Sequence, residues 1–388
     1  MRTITIGLFN DSFPPMTDGV GMVVDNYARR LSKFANVVVF VPDYREPYDD
    51  SVYPYKIVRC KSVKMPFADY SLPLPLVDRE FRKEVSKYHF DIIHIHSPFT
   101  IGKYGVFIGR RRKIPVIGTM HSQYRQDFFR AVNNKKMAQE LTKTIVSVYN
   151  RCSKCFAVNS GMAHLYYDEY GVKEMPDVLC NATEMKYISH KKKARDHINQ
   201  MHHLKDTDKV FLFVGRINKL KNILFIVDSL YLLNQKKLNY SYKMLFVGHG
   251  QDYEELKKYI HQKKLDSNII LCGNVEDRSL LQEYYVRSDL FLFPSLYDAS
   301  SIVQIEAASQ KVPTVFLEGS KTSSDITDRV NGFLAKNEEE FANIIDEVMN
   351  DEELYKTVSE GAYRDVYHHW DTVIEDVYQM YLDTIKRS

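Results

Sequence analysis

Apolar positions alternate between two patterns along the whole chain. Short, almost continuous apolar runs, such as residues 4–9 and 209–215, have the length and composition of buried strands. Between them lie segments with apolar residues three and four positions apart, such as 20–34 and 222–235, and this spacing predicts amphipathic helices. Continuous apolar strands separated by helices are typical of parallel sheets covered on both faces, so we predict an α/β fold.

The predicted elements form two successive series. The first contains strands at 4–9, 36–42, 55–60, 91–97, 114–121, 154–160 and 178–182, with helices at 20–34, 100–113 and 136–150. The second contains strands at 209–215, 242–248, 268–273, 289–295 and 313–319, with helices at 222–235, 252–264, 278–288 and 301–311 and three helical segments from Glu338 onwards. Two such series predict two doubly wound, Rossmann-like domains facing across a cleft.

A polar, highly charged segment separates the two series. We therefore predict a first domain at 1–185, a linker at 186–207, a second domain at 208–367 and a terminal segment at 368–388. Ligands of doubly wound folds bind at the carboxyl ends of the strands, so the loops that follow strands are where chemistry is expected.

Composition excludes several classes of protein. Apolar residues make up 44% and charged residues 27% of the chain, which is ordinary for a globular protein and excludes disorder and coiled coils. The longest apolar runs are far shorter than the ~18 residues that a membrane span needs. Five cysteines are too few for a disulfide framework and fit a reducing compartment, and the first residues run directly into a strand pattern; we expect a cytoplasmic protein without a cleaved leader.

The net charge of +3 conceals an uneven distribution. Residues 1–200 hold 31 basic and 20 acidic side chains, whereas the remainder holds 22 basic and 30 acidic ones. This asymmetry predicts that the first domain faces an anionic partner, and two independently solvated surfaces are the alternative. No nucleic-acid recognition motif accompanies the basic residues, so a nucleic-acid partner is not expected.

Two loops of the second series carry candidate chemistry. Arg216 follows a strand and Lys221 lies at the next helix start, and two cations with a helix N-terminus form an anion site suited to a diphosphate. A basic helix cap is the alternative. Further on, Asp298 and Glu306 flank a stretch of small residues, and Glu306 lies on an apolar helix. A buried carboxylate there needs hydroxyl or amide partners, which the hydroxyls of a ribose can provide.

The loops of the first series carry weaker signals. Gly19 and Gly21 flank a helix start, where backbone N–H groups can meet a phosphate or sugar oxygen, although taken alone these glycines favour a plain turn. His121 follows a strand and can hydrogen-bond a ligand hydroxyl. We expect His94 and His96 to point to opposite faces of their strand, so that they cannot easily chelate one metal ion, and we expect a structural role for at least one of them.

Taken in order, these loops resemble the family 4 glycosyltransferases of the GT-B fold over nearly the whole chain. The matching motifs are the glycine loop Asp18–Gly21, Asp-x-x-His-x-His at 91–96, Thr-x-His at 119–121, the phosphate loop with Gly215, Arg216, Lys221 and Asn222, Val-Gly-x-Gly at 247–250, the Pro-Ser segment with a later Glu at 294–306, and Trp370. The chain departs from the family pattern at Asp298, where Glu is usual, and at Ser300–Ser301, where Phe-Gly is usual. A catalytically silent partner subunit is therefore the alternative from a different class.

The resemblance implies a hexosyltransferase that uses a nucleoside diphosphate sugar, retains anomeric configuration and needs neither metal nor cofactor, since cations replace Mg²⁺. His121, Arg216, Lys221 and Asp298 would be the catalytic residues. The implied donor-binding positions are Gly19, Gly215, Gly248, Ala299, Ser300, Ser301, Ile302 and Glu306. The helix after Trp370 would cross back to the first domain.

The segment 96–124 is similar to one in bacterial diacylglycerol glucosyltransferases, whose basic first domain meets anionic lipid. The acceptor or membrane residues that this implies are Arg110, Arg111, Arg112, Lys113, Arg125, Phe128 and Phe129. We therefore expect a UDP-sugar, first of all UDP-glucose, and a membrane lipid or envelope glycan acceptor at the inner face of the plasma membrane. A solvated basic face that binds an anionic glycan, or a soluble transferase acting on a small molecule or polysaccharide, are the alternatives.

Overall fold

The computed structural model describes residues 3–16, 18–44, 48–64 and 71–387. The chain divides into two compact units, one formed by 1–181 together with 370–388 and the other by 182–369. Each unit is built on one parallel sheet with helices, which confirms the prediction of two Rossmann-like α/β domains. Among the described residues, no helix combines the length and apolar character needed to cross a bilayer.

The sheet of the first unit has seven parallel strands in the order β3-β2-β1-β6-β7-β8-β9. Its strands and the small antiparallel pair β4–β5 are β1 (Thr5–Phe9), β2 (Asn36–Pro42), β3 (Lys56–Cys60), β4 (Ser62–Lys64), β5 (Ser71–Pro73), β6 (Ile92–Ile95), β7 (Val116–Met120), β8 (Lys154–Ala157) and β9 (Asp177–Val178). Strands β1, β2 and β6 are buried over almost their whole length, as their continuous apolar sequences require.

Helices cover this sheet. They are α1 (Gly19–Leu31), α2 (Arg79–Ser86), α3 (Thr100–Arg112), α4 (Tyr124–Val132), α5 (Lys135–Tyr149) and α6 (Ser160–His164), which continues as a π-helical turn at Leu165–Tyr170, and the terminal helix α14 (Trp370–Arg387). Helix α14 packs against α1 within this unit, as predicted. Buried Trp370 lies edge-on to Tyr27, and Asp371 pairs with Arg30 at 3.0 Å.

Helix α3 forms despite its glycines because they let it lie very close to neighbouring backbone and side chains. A Cβ atom at Gly102 would lie 1.7 Å from the carbonyl oxygen of Ser97, and one at Gly109 would lie 2.2 Å from a methyl group of Val116. The buried carboxylate of Asp11 accepts hydrogen bonds from the backbone N–H groups of Ile101 and Gly102, which satisfies donors that a helix start leaves free.

The second unit contains a six-stranded parallel sheet in the order β12-β11-β10-β13-β14-β15. Its strands are β10 (Lys209–Val214), β11 (Tyr242–Val247), β12 (Ile269–Gly273), β13 (Leu290–Phe293), β14 (Thr314–Leu317) and β15 (Phe333–Ala335). Its helices are α7 (Lys192–His202), α8 (Ile223–Leu233), α9 (Tyr253–Gln262), α10 (Arg278–Arg287), α11 (Ile302–Ser309), α12 (Glu338–Asn350) and α13 (Glu352–Asp365).

The segment predicted as a linker at 186–207 lies inside the second unit instead. Most of it forms α7, which packs against α10 through the buried side chains of Ala194 and Ile198. The side chain of Asn199 accepts a hydrogen bond from the buried guanidinium of Arg287. The few apolar residues are four positions apart, so one narrow face is enough to bury the helix although its composition is polar.

Candidate active site

The carboxyl ends of β10 and β11 approach each other so closely that they require glycine. Gly248 has φ +138°, and a Cβ atom there would lie 1.9 Å from the carbonyl oxygen of Gly215. Beside this contact is a depression of about 280 Å³, whose lining includes Arg216, His249 and Asn274. Predicted donor-binding positions Gly215 and Gly248 therefore meet at the edge of the sheet where ligands of such folds bind.

We expect a Gly248→Ala substitution to lower the free energy of unfolding by about 3 kcal/mol, because it combines backbone strain with overpacking. A Gly273→Ala substitution is the matched control, since Gly273 also has a positive φ of +74° but a Cβ atom there would meet no atom of the described residues within 4 Å. Strain alone should cost it about 1 kcal/mol. Urea denaturation of both variants measures the difference, and equal midpoints would contradict the close approach.

The two predicted cations of the phosphate loop have different surroundings. Arg216 is exposed and makes no hydrogen bond or ion pair with any residue that the structure describes. Lys221 ends a single 3₁₀ turn that begins after Asn218, whose side chain accepts from the Lys221 amide. The Lys221 ammonium pairs with the carboxylate of Asp298 at 2.5 Å, and both side chains are mostly buried. The structure thus joins two predicted catalytic residues and fixes the position of the lysine.

Residues 298–301 lead directly into α11. Ala299 and Ser301 are buried, and Ser301 holds the N-cap position without a side-chain capping bond. Ile302 is the first residue of the helix. A helix N-terminus carries partial positive charge and N–H groups without helical partners, so this segment suits an anion.

Glu306 is buried on α11, as expected, but it already has partners within the protein. One of its carboxylate oxygens accepts from the guanidinium of Arg278 at 2.5 Å and the other from the hydroxyl of Tyr285 at 2.8 Å. Burial raises the pKa of Tyr285, which therefore stays a donor. Arg278 also pairs with Glu184 at 3.2 Å. Sequence reasoning missed Arg278 and Tyr285; the requirement that a buried carboxylate be paired was the available signal, but it does not identify the partner.

In the first unit, His121 follows β7, and His94 and His96 lie at the end of β6. The expectation that these two histidines point to opposite faces was wrong. Side chains two positions apart share a face of a strand, and the rings of His94 and His96 stack with centroids 4.0 Å apart. The Nδ1 atom of His96 lies 3.1 Å from Nε2 of His121, so the two predicted strand ends meet.

The two glycines of the glycine loop differ in their surroundings: Gly21 is closely packed, whereas Gly19 is open. A Cβ atom at Gly21 would lie 3.2 Å from the backbone of Phe13, whereas one at Gly19 would meet no atom within 4 Å in the parts of the chain that the structure describes. Asp18 caps α1 by accepting from the amide of Val20. Gly19 is therefore not required by packing within the described residues, which leaves room for a ligand to approach.

The predicted acceptor or membrane residues do not form one patch. Arg110 and Arg111 belong to a groove of about 810 Å³ between α3 and α5. Its other cations are Lys103, Lys143 and Arg151, and its apolar lining consists of Val106, Phe107 and Val148. Phe107 is 49% exposed, and Glu140 pairs with Lys143 at 2.6 Å. The groove thus combines cationic and apolar side chains. Lys143 and Arg151 were not predicted as part of this set, and the placement of α5 beside α3 brings them to it.

The remaining residues of that set have separate roles. Arg112 donates to the carbonyl of Tyr88, and Lys113 ends α3 in a left-handed conformation. Arg125 donates to the carbonyl of Glu169 and lies over the ring of Tyr170. On α4, Phe128 packs edge-on against Phe99, and Phe129 is 37% exposed.

Comparisons with known proteins agree with these features. Residues 17–185 match glycosyltransferase family 4, and residues 194–365 match the glycosyl transferases group 1. Two relatives are named alpha-monoglucosyldiacylglycerol synthase. The protein of Streptococcus pneumoniae is 24% identical over 96% of this chain and 87% of its own length, and that of Acholeplasma laidlawii is 25% identical over 92% and 91%. The structure of Anabaena HepE in complex with UDP has a TM-score of 0.76 at 16% identity, covering 97% of this chain and 99% of that one. This chain belongs to the family 4 glycosyltransferases of the GT-B fold.

Proposed function

We propose that this protein transfers a hexose, first of all glucose, from a UDP-sugar to a membrane lipid or a lipid-linked envelope glycan with retained anomeric configuration. The observation that carries this proposal is the set of groups in the second unit. Arg216 has no ion-pair partner in the described part of the chain, Lys221 is fixed, and together with the start of α11 they can bind a diphosphate. Glu306 can accept hydrogen bonds from sugar or ribose hydroxyls.

The chemistry follows from where charge develops. As the bond between the sugar and the diphosphate breaks, negative charge grows on the departing phosphate oxygens. The side chains of Arg216 and Lys221 and the N–H groups of α11 would stabilise that charge without reorganising, which is the main catalytic contribution that a fixed site can make. We propose that these cations serve in place of a metal ion. Asp298 holds the Lys221 ammonium, and His121 would contact the donor sugar.

The acceptor is proposed from the groove between α3 and α5 and from the relatives. A groove lined by both cationic and apolar side chains suits an anionic amphiphile, since lysine and arginine attract phosphate head groups while Phe107 offers apolar area. Two relatives carry names that end in diacylglycerol synthase, which supports a lipid acceptor and a place at the inner face of the membrane.

A donor panel tests the proposal. The protein is incubated with UDP-, GDP- and ADP-sugars and mixed vesicles containing diacylglycerol, nucleoside diphosphate release is followed, and the anomeric configuration of the product is read by NMR. We expect release from UDP-glucose and an α-linked product. No release from any donor, together with no thermal shift by any nucleotide, would overturn the enzyme proposal in favour of a silent subunit. Release from a GDP-sugar or an ADP-sugar instead would show that the proposed UDP-sugar donor is wrong.

Membrane association should depend on the groove. Because each basic residue near an anionic surface contributes about 1 kcal/mol, we expect Arg110→Gln/Arg111→Gln to weaken binding to anionic vesicles roughly thirtyfold. Lys257→Gln/Lys258→Gln is the matched control, since it removes two adjacent exposed cations from a helix of the second unit. Flotation at low and high salt measures both. Equal binding by the two variants would assign the groove to another ligand.

A further inference from the structure

The three histidines of the first unit form a continuous buried group. His94 is fixed through both ring nitrogens: Nδ1 lies 2.6 Å from the hydroxyl of Tyr381 on α14, and Nε2 lies 2.7 Å from the hydroxyl of Thr119 on β7. The His96 ring stacks on His94 and also meets Tyr27 edge-on at 5.0 Å. His96 is therefore held in plane by its neighbours on two sides, and it contacts His121 through one nitrogen only.

All three rings are neutral. Burial lowers the pKa of His94 and of His121 to about 3, and burial together with the two neighbouring imidazoles lowers that of His96 well below its usual range. A neutral imidazole carries one N–H donor and one acceptor nitrogen. In the contact between His96 Nδ1 and His121 Nε2, one nitrogen must donate and the other must accept.

The second nitrogen of His96 decides which one donates. Nε2 of His96 is buried and has no hydrogen-bond partner within the described part of the chain. If His121 donated, His96 would carry its proton on this Nε2, and a buried N–H would lack an acceptor. If His96 donates from Nδ1, its Nε2 is only an unused acceptor. A buried donor without a partner is the rarer and more costly arrangement in proteins.

We infer that His96 donates its Nδ1–H to Nε2 of His121 and thereby fixes His121 as the tautomer that carries its proton on Nδ1. Nδ1 of His121 makes no hydrogen bond with a described residue, and 9% of this residue remains exposed. His121 therefore presents a neutral N–H donor to a ligand oxygen, such as a sugar hydroxyl. The role of this N–H group toward a sugar hydroxyl rests on the proposed function, whereas the inferred tautomer does not.

His96 is thus a positioning residue, and the terminal helix contributes to it indirectly. Tyr381 and Thr119 orient the His94 ring, the His94 ring supports the His96 ring by stacking, and His96 determines the proton on His121. These successive contacts explain how the terminal helix influences the protonation of His121, which lies in the loop after β7. It also gives the histidines of the Asp-x-x-His-x-His segment a role that requires neither a metal ion nor a shared ligand.

The tautomer is measured directly in the wild-type protein. Long-range ¹H–¹⁵N correlation spectra of protein labelled at histidine distinguish protonated from unprotonated ring nitrogens, and the signals of His121 are assigned by comparison with His121→Gln. We expect Nδ1 of His121 to be protonated and Nε2 not. A protonated Nε2 at His121 would overturn the inference. The spectrum decides the question even if no sugar donor is turned over.

Two substitutions then test the positioning role. His96→Leu removes the donor, whereas His96→Asn keeps an amide N–H two bonds from Cβ, where Nδ1 stands in histidine. We expect His96→Leu to show both tautomers of His121 and to lower kcat/KM about tenfold, the value of one hydrogen bond. His96→Asn should recover most of this loss, and His164→Leu, at an exposed histidine, should change nothing. If both His96 variants lose kcat/KM equally and His121 keeps a single, unchanged tautomer, His96 acts only through packing.

Discussion

Replacing Lys221 with alanine is expected to lower kcat/KM for the sugar donor by about 10²- to 10³-fold, the cost of removing one fixed charge-stabilising group from a site of this kind. The loss should be large because the ammonium is held in place by Asp298 before the donor arrives. Without Lys221, that carboxylate loses its ammonium partner and repels the diphosphate. Nucleoside diphosphate release measures the rate, and calorimetric titration with UDP measures the affinity.

Two further variants separate catalysis from local charge. Lys219→Ala is the matched control, because Lys219 lies in the same 3₁₀ turn but is exposed and pairs with Glu255 at 2.8 Å. It should keep activity within about twofold, as surface ion pairs contribute little. Lys221→Ala/Asp298→Asn removes the repulsion and should restore UDP affinity but not kcat. An active Lys221→Ala protein would show that Arg216 and α11 are sufficient.

Replacing Glu306 with alanine is expected to impair both stability and donor binding. The substitution leaves the buried hydroxyl of Tyr285 without an acceptor and releases Arg278, which should cost about 1–3 kcal/mol of unfolding free energy. If the same carboxylate accepts from donor hydroxyls, KM for the donor should also rise about 10- to 100-fold, since hydrogen bonds to charged groups are stronger than neutral ones. Thermal unfolding and donor kinetics measure the two effects.

A pair of conservative variants distinguishes these effects. Glu306→Gln keeps an acceptor for Tyr285 but removes the charge, so it should recover most of the stability and little of the donor affinity. Tyr285→Phe removes only one donor to Glu306 and leaves Arg278 in place, so its KM should change far less. If Glu306→Gln recovers both properties together, the carboxylate serves folding alone and the donor binds elsewhere.

The sequence was most informative for elements whose formation depends on a single local pattern. Strands such as β10 and β11 are continuous apolar runs, and they form almost as predicted because only a fully covered parallel sheet can bury them. Strand β15 was not predicted, since three residues are too short for any period to be recognised. The segment 186–207 was predicted as a linker because its composition is polar and charged. Its two buried apolar residues carry no composition signal, yet they are enough to pack α7.

The candidate site divides in the same way. Arg216, Lys221 and Asp298 were predicted from loop position and residue type, because carboxyl ends of parallel strands collect at one edge. Glu306 was predicted as a carboxylate on the apolar helix that follows such a loop. Their pairing was not predictable: Lys221 and Asp298 are 77 positions apart, and Glu306 meets Arg278 and Tyr285 from a different helix.

By itself, the sequence determined the two α/β units, the strand ends where the candidate site residues lie and the glycosyltransferase family, because periodicity, the succession of strands and helices along the chain, and motif spacing can be read directly from the residues. Only the tertiary structure decided which of these groups touch: that Lys221 is paired whereas Arg216 has no partner among the described residues, that Arg110 and Arg111 share a groove with residues of α5, and that His94, His96 and His121 form one buried group. Such contacts depend on how separate elements pack, and burial then fixes the charges and protons that the contacts carry.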